Sequence, residues 1–441
     1  MEVSTAMKFI HAADAHIDSP LRGLARYEGA PERRLRAATR EAFANLVTLA
    51  LEECVDFVVI AGDLFDGEWR HMNTGLWTAG QFRRLAEAGI PVCFVRGNHD
   101  ALSKVRESIT WPDNVTDLGV DAPRTVLGED LGKPNLSVAI HGQGFARASI
   151  TDDLAAGYPD AVPGRFNIGV LHTCYTGSAS HERYAATSPA VLQRRRYQYW
   201  ALGHVHTRQT LCDDPIIAFP GNTQGRHVNE SGAKGCLLVT VEDAGIEQAR
   251  PQIDVAFRPT DVVRWHRQAI TLSGRDDLTI LYEKVADTLE ACRAASDGRL
   301  AAVRLEVTGA CQAHRNLVDR AGQEQAIAEI YNLAGEHGDD VWVEKIQLDT
   351  RPLVDIDRLR ADGGLFGELL GELSRLGEDD DELMLLAAEL SPLLDKAAPE
   401  LAAGGDAAFD GDCAGIHRPD QMRRWLRQAE SYLVECMETQ G

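Results

Sequence analysis

Residues 57–66 read Phe57-Val58-Val59-Ile60-Ala61-Gly62-Asp63-Leu64-Phe65-Asp66. Large apolar residues without alternation, ending on glycine and a carboxylate, predict a strand buried on both faces that stops in a tight turn. The plan recurs along the chain. Val92-Cys93-Phe94-Val95 leads to Gly97-Asn98-His99-Asp100, and Ile168-Gly169-Val170-Leu171 leads to His172. Tyr199-Trp200-Ala201-Leu202 leads to Gly203-His204-Val205-His206, and Asp14-Ala15-His16 follows Phe9-Ile10 by a few residues. Helical patterns separate the runs, as in 33–53, where Leu35, Phe43, Leu46 and Leu49 fall near helical spacing. Strand–helix alternation predicts an α/β sandwich with partly parallel sheets. Polar residues at strand C-termini then gather at one sheet edge, where such folds open a crevice.

The residue types at that edge suit a pair of divalent cations. Carboxylates and imidazoles accept Mn, Fe, Zn or Co, and no thiolate joins the set. Asp63 has two oxygens and is the candidate bridge. Asp14, His16 and His206 would complete one cation, and Asn98, His172 and His204 the other. Two cations about 3.5–4 Å apart clamp phosphate oxygens and make a bridging water nucleophilic at neutral pH. His99 is the candidate general acid or cationic stabiliser, and Asp100 the candidate to orient it. Any one of these pieces alone is more often a turn or a cap. Five of them in this order, behind strand-like runs, point to a metal-dependent phosphoesterase.

Outward from this core, 441 residues are enough for two or three domains. Residues 1–264 are assigned to the catalytic domain, with 1–6 as a short extension. Strand and helix patterns over 265–350 form a βαβαβ unit, read as a small capping domain. Residues 351–441 read as an acidic helical region. Glu378-Asp379-Asp380-Asp381-Glu382 marks a solvated helix entrance, 402–415 a linker, and 419–437 an amphipathic helix. That last helix either packs on its own chain or docks a partner.

No apolar run is long enough to span a membrane, and no basic-then-apolar leader opens the chain. Nine scattered cysteines without a CxxC pair suit a reducing cytoplasm. The formal net charge of −22 argues against a broad basic surface that grips nucleic acid. Half of it is local: residues 351–441 hold 20 acidic and 9 basic residues, a net of −11.

The ordered set Asp14, His16, Asp63, Asn98, His99, His172, His204 and His206 resembles the calcineurin-like metallophosphoesterase superfamily. Within it the chain is most similar to the SbcD/YhaO-like DNA repair exonucleases, and Pro220-Gly221-Asn222-Thr223-Gln224-Gly225-Arg226-His227 resembles the loop after their last ligand pair. The resemblance implies a four-layer α/β/β/α sandwich, a dimanganese centre, nuclease activity on DNA, a capping domain and an SbcC-like coiled-coil ATPase partner. A homodimer is compatible with it. The chain departs at Asp66, where the end-processing nucleases carry a histidine after Gly-Asp-x-x. There an acidic group replaces a cationic one.

Other residues have two readings each. Asp66 fits support of a neighbouring ligand better than metal contact. His141 fits a structural histidine better than a cleft residue. Arg226 could fork onto a substrate phosphate or brace its loop. Arg194-Arg195-Arg196 with Tyr197 and Tyr199 could track a nucleic-acid backbone, but a helix end paired with acidic neighbours fits better. Trp69, Trp77 and Trp111 fit packing better than base stacking, and His71 and His227 have no assigned role. A small-nucleotide phosphodiesterase or phosphatase is the first alternative function, and a non-catalytic subunit of an ATPase complex the second.

Overall fold

The computed structural model describes residues 6–19, 30–66, 72–102, 109–174, 186–242, 251–353, 359–360, 364–390 and the helix Pro419–Glu438. Trp69, His71 and the 402–415 linker lie outside the described residues. The chain forms two compact units. One comprises 1–268, 288–304 and 334–345, and the other 269–287, 305–333 and 346–441.

The first unit is built on two six-stranded sheets. Strands β1 (Met7–Ala12), β2 (Phe57–Ala61), β3 (Val92–Val95) and β4 (Val115–Asp117) pair in parallel. On the other side of β1, β11 (Gly235–Glu242) and β12 (Gln252–Pro259) add antiparallel, giving the order β12-β11-β1-β2-β3-β4. The second sheet has the order β5-β6-β7-β8-β10-β9. It comprises β5 (Arg124–Leu127), β6 (Val138–Gln143), β7 (Phe166–His172), β8 (Tyr199–Gly203), β9 (Gln209–Asp213) and β10 (Ile216–Phe219). Strands β6, β7, β8 and β10 run parallel.

Alternate residues of the central strands point to opposite faces, so a wholly apolar strand needs two cores. Phe57, Val59 and Ala61 face the second sheet and meet Ile140, Ile168, Val170 and Tyr199. Val58 and Ile60 face the other way, onto Phe43, Leu46 and Val47 of α1 (Glu32–Glu52) and Phe82 and Leu85 of α2 (Met72–Glu87). The outer face of the second sheet packs Trp200, Leu202 and Ile217 against Leu192 of α3 (Pro189–Arg194) and Tyr158. The layers are therefore α/β/β/α, as expected.

Beyond these, β13 (Val263–Thr271), α4 (Leu278–Ala295), β14 (Leu300–Ala310), the helix Arg320–Gly335 and β15 (Val341–Arg351) follow in the expected βαβαβ order. The three strands form one sheet in chain order. In the second unit, helices cover Gly364–Glu378, 380–390 and Pro419–Glu438. Asp379 accepts the backbone N–H groups of Asp381 at 2.8 Å and Glu382 at 3.2 Å, so the charge run does open a helix. Met422, Trp425 and Leu426 pack on Leu383 and Ala387, so this part of the amphipathic stripe is covered by its own chain. Among the described residues no helix is long and apolar enough to cross a membrane, and seven cysteines are free thiols.

Candidate metal centre

All seven predicted ligands converge at the C-terminal ends of β1, β2, β3, β7 and β8. Three groups have ligand atoms within 4.8 Å of one another: Asp14, His16 and His206; Asp63, His172 and His204; and His16, Asp66 and His99, of which the first two consist of predicted ligands. Asn98 joins the second group, its Oδ1 2.9 Å from His172 Nε2. Asp63 adjoins both, with Oδ2 3.9 Å from His16 Nε2 and 3.3 Å from His172 Nε2.

The backbone is bent to deliver these groups. Asp14, His16, Asp63 and His204 have φ of 51°, 43°, 49° and 98°. Each left-handed residue costs roughly 1–3 kcal/mol and persists only where its surroundings hold it. They do: Asp14 N–H donates to Gly62 O and His16 N–H to Asp63 O, both at 3.0 Å. His204 N–H meets the Asp14 carboxylate at 3.0 Å, and His99 N–H meets Asp63 Oδ1 at 2.9 Å. Glycines make room. A Cβ on Gly62 (φ 91°) would sit 2.3 Å from His172 Nδ1, and one on Gly97 would sit 2.1 Å from Asp63 Oδ1.

The electrostatics are those of anions and imidazoles crowded at a largely buried sheet edge. Burial raises Asp14 to about 6, although His206 and His172 pull the other way. Burial works against ionisation of Asp63 too, yet His172, His16 and His99 hold that carboxyl well below the usual range. Burial alone would depress His172, but the Asp63 carboxylate outweighs it and lifts His172 to about 9. Burial takes His16 down to about 4 and His204 to about 3.

This donor set fits cations. His172 Nδ1 bonds the Ala61 carbonyl at 2.9 Å, and His206 Nδ1 bonds the Glu230 carboxylate at 2.6 Å. Both rings therefore keep a proton on the outer nitrogen and present Nε2 inward, where a cation would take the place of any proton it carries. His206 Nε2 lies 3.2 Å from His16 Nε2, and His16 turns its Nδ1 towards Asp66 Oδ1 at 3.6 Å. At that distance the two nitrogens share one hydrogen, and a cation would replace it and bind both.

The partner of His99 differs from expectation. Asp100 is fully engaged elsewhere, accepting the backbone N–H groups of Gly97, Phe65 and Leu64 at 3.0, 3.0 and 3.2 Å. It ties the two ligand turns together and has no contact with His99 among the described residues. Asp66 takes that place, with Oδ1 2.9 Å from His99 Nδ1. Asp66 also accepts from Ser19 Oγ at 2.6 Å. Although burial opposes it, contacts with His16, His99 and Ser19 hold the Asp66 carboxyl far below its ordinary range. Asp66 in turn raises His99.

Of the remaining candidates, Arg226 braces: Nη2 is 3.1 Å from Glu230 Oε1, and Nη1 is 3.6 Å from Asp66 Oδ2. His141 is structural, bonded to Thr125 Oγ1 at 2.8 Å and Asn167 Oδ1 at 3.0 Å. Trp77 and Trp111 pack on the α1–α2 side of the core, where Trp111 meets Phe65, Phe82 and Phe94. Tyr197 and Tyr199 are buried and cannot stack on bases, and Arg195 bonds the Ala156 carbonyl. His227 stands 3.6 Å from Glu230. Glu230 itself was not anticipated. Its only signal is a lone acidic residue after the glycine-rich loop.

The calcineurin-like phosphoesterase family model matches residues 7–208, and that of the metallophosphoesterase YhaO middle domain matches 265–351. The chain is similar to the uncharacterized metallophosphoesterase YhaO of Bacillus subtilis. They are 31% identical over 367 residues, which is 83% of this chain and 87% of that protein. It is also similar to the DNA double-strand break repair protein Mre11 of Haloferax volcanii, at 26% identity over 64% of this chain and 58% of that one. Among solved structures, a dimetal phosphatase from Danio rerio aligns with 56% of this chain and 98% of its own, at 13% identity and a TM-score of 0.33. Fold, ligand order and the extended likeness to YhaO agree: the chain is a metallophosphoesterase of the calcineurin-like superfamily, in the branch that holds YhaO and the Mre11 repair proteins.

Proposed function

We propose that this hydrolase cleaves phosphodiester bonds in DNA, as an exonuclease or endonuclease in DNA repair. The observation that carries the chemistry is the pair of donor triads meeting at Asp63. The choice of DNA is supported by the likeness to Mre11 repair proteins. Asp14, His16 and His206 would hold one cation, and Asn98, His172 and His204 the other, with Asp63 between. Mn2+ is the first expectation, and Fe, Zn or Co suit the same donors. Bound there, such a pair supplies Lewis acidity and a nucleophile at neutral pH.

The chain's own groups do the rest. His99 is 37% exposed, so it can reach a substrate, and Asp66 behind it favours the protonated ring. It is assigned to donate a proton to the departing oxygen, or to stabilise the charge that develops there. Asp63 fixes the backbone of His99 through its N–H. Asp100 holds the turns of Asp63 and Asn98 in register.

Residues 1–264 are proposed as the catalytic domain, 265–350 as a cap that presents a strand, and 351–441 as the docking region for an SbcC-like coiled-coil ATPase. Leu365, Leu369 and Leu385 are exposed there, which supports an apolar contact. Leu365→Asp, Leu369→Asp and Leu385→Asp together should weaken that partner's binding, and unchanged binding would reject the docking role. The proposed compartment is the cytoplasm, in keeping with the free thiols.

A net charge of −22 favours a second reading, hydrolysis of small phosphodiesters. A panel of bis-p-nitrophenyl phosphate, cyclic nucleotides and labelled single- and double-stranded DNA with Mn2+ separates the two. Turnover confined to the small substrates would reject the DNA reading.

A further inference from the structure

The two proposed cation positions differ in what stands behind their imidazoles. His172 rests its outer nitrogen on a neutral group, the Ala61 carbonyl. His206 rests its own on a carboxylate, Glu230 Oε1, at 2.6 Å. Glu230 is 7% exposed and fully committed. Its Oε2 accepts from the Asn222 side-chain amide at 2.9 Å and the Arg226 backbone N–H at 2.8 Å. Lys234, also 7% exposed, donates Nζ to the His206 carbonyl at 2.8 Å. One stretch of chain, 222–234, thus holds His206 at both ring and backbone.

Burying a carboxylate and an ammonium this deeply costs several kcal/mol unless each is bonded. Neutral side chains could close the loop without that cost. A carboxylate on the outer nitrogen does what a neutral group does less well. It fixes the N–H there, leaves the inner lone pair free and makes the ring a stronger donor. The inner donors add to the asymmetry: Asp14 faces the His206 position and Asn98, which is neutral, the other, while Asp63 adjoins both. Arg226, 3.1 Å from Glu230, takes up part of the outer charge, so the effect works through ring orientation and donor strength.

We propose that Glu230 is a positioning residue for the cation held by Asp14, His16 and His206, and that it makes this the tighter of the two positions. The inference rests on the two-cation reading above and adds an order of filling to it.

The test is a calorimetric Mn2+ titration of the full chain, with electron paramagnetic resonance to count bound ions. Wild type should take up two ions with unequal affinity. E230Q keeps the size of the side chain and removes its charge. It should weaken the tighter equivalent by about 10–100-fold and leave the other nearly unchanged. H206N, which deletes the ligand itself, identifies the equivalent concerned, and thermal melting by circular dichroism verifies that each variant is folded. An E230Q titration that superimposes on wild type overturns the inference. So does an equal weakening of both equivalents in a folded E230Q. A wild-type chain that never takes up a second ion instead rejects the two-cation reading, and this inference with it.

Discussion

Asp66 Oδ1 lies 2.9 Å from His99 Nδ1, at the position where the end-processing nucleases resembling this chain carry a histidine. The substitution does not remove the cationic group from the site. It places a carboxylate behind the remaining one and favours its charged form. His99→Ala should therefore keep both metal equivalents and lose about 10²–10⁴-fold in turnover of bis-p-nitrophenyl phosphate. Full activity in that variant would remove His99 from the mechanism.

Asp66→Asn tests the pair through pH. The contact with Asp66 is the main cause of the raised His99 pKa, and the protonated ring is the proposed acid. Rate falls as pH rises through that value. Without the carboxylate the value drops, so the alkaline limb of the kcat profile should move to lower pH. A limb that stays in place would show that another group titrates there.

Gly97 has no room for a methyl group, because its Cβ would stand 2.1 Å from Asp63 Oδ1. Gly62 meets the His172 ring in the same way, at φ 91°. Gly97→Ala and Gly62→Ala should each lower stability in urea by about 2 kcal/mol or more and weaken metal uptake. Wild-type midpoints would mean that the turns have slack.

Removal of metal should cost stability, since buried Asp14 and Asp63 repel each other and then have only the surrounding imidazoles as counter-charge. Chelation should lower the melting temperature, and Mn2+ should restore it. Saturation at a hundred times the dissociation constant is worth about 2.7 kcal/mol. A melting curve indifferent to both treatments would argue against a bound pair.

His11 supplies a pH signal away from the ligands. It is buried between Tyr199 OH at 2.9 Å and the Leu202 carbonyl at 3.1 Å, and burial lowers it to about 3. The unfolded chain takes up this proton near the ordinary histidine value of 6.5, and the folded chain does not until about 3. His11 thus favours the fold above pH 6.5 and erodes it as pH falls through that window, by about 1.4 kcal/mol per unit. His11→Gln should flatten the slope of stability against pH between 6 and 4. Parallel curves for the two proteins would exclude it.

What could be read from the residues followed from periodicity. Val58 and Val59 are both apolar because β2 is covered on both faces, and that pattern located the turn carrying Asp63. The ligand set was legible for the same reason, since each member terminates a buried strand or lies just beyond one. Partners were not. Asp100 adjoins His99 in sequence but turns back beneath it to collect three amides, while Asp66 arrives from another strand. Glu230 stands 24 residues from His206 in a loop without periodicity, so nothing local announces the contact. Arg226 has two equal readings in the sequence, and the positions of Glu230 and Asp66, which give it ion-pair contacts, could not be read there.

Met7 pairs with Val241, so β1 cannot gain its second neighbour until β11 has been made. Until then a growing chain would hold apolar strands with one edge open. Pairings this remote in sequence are slow to close and prone to sticking. All seven candidate ligands leave the ribosome before β11 does, so the residues of the proposed pocket are complete while the sheet that carries them still has an open edge at β1.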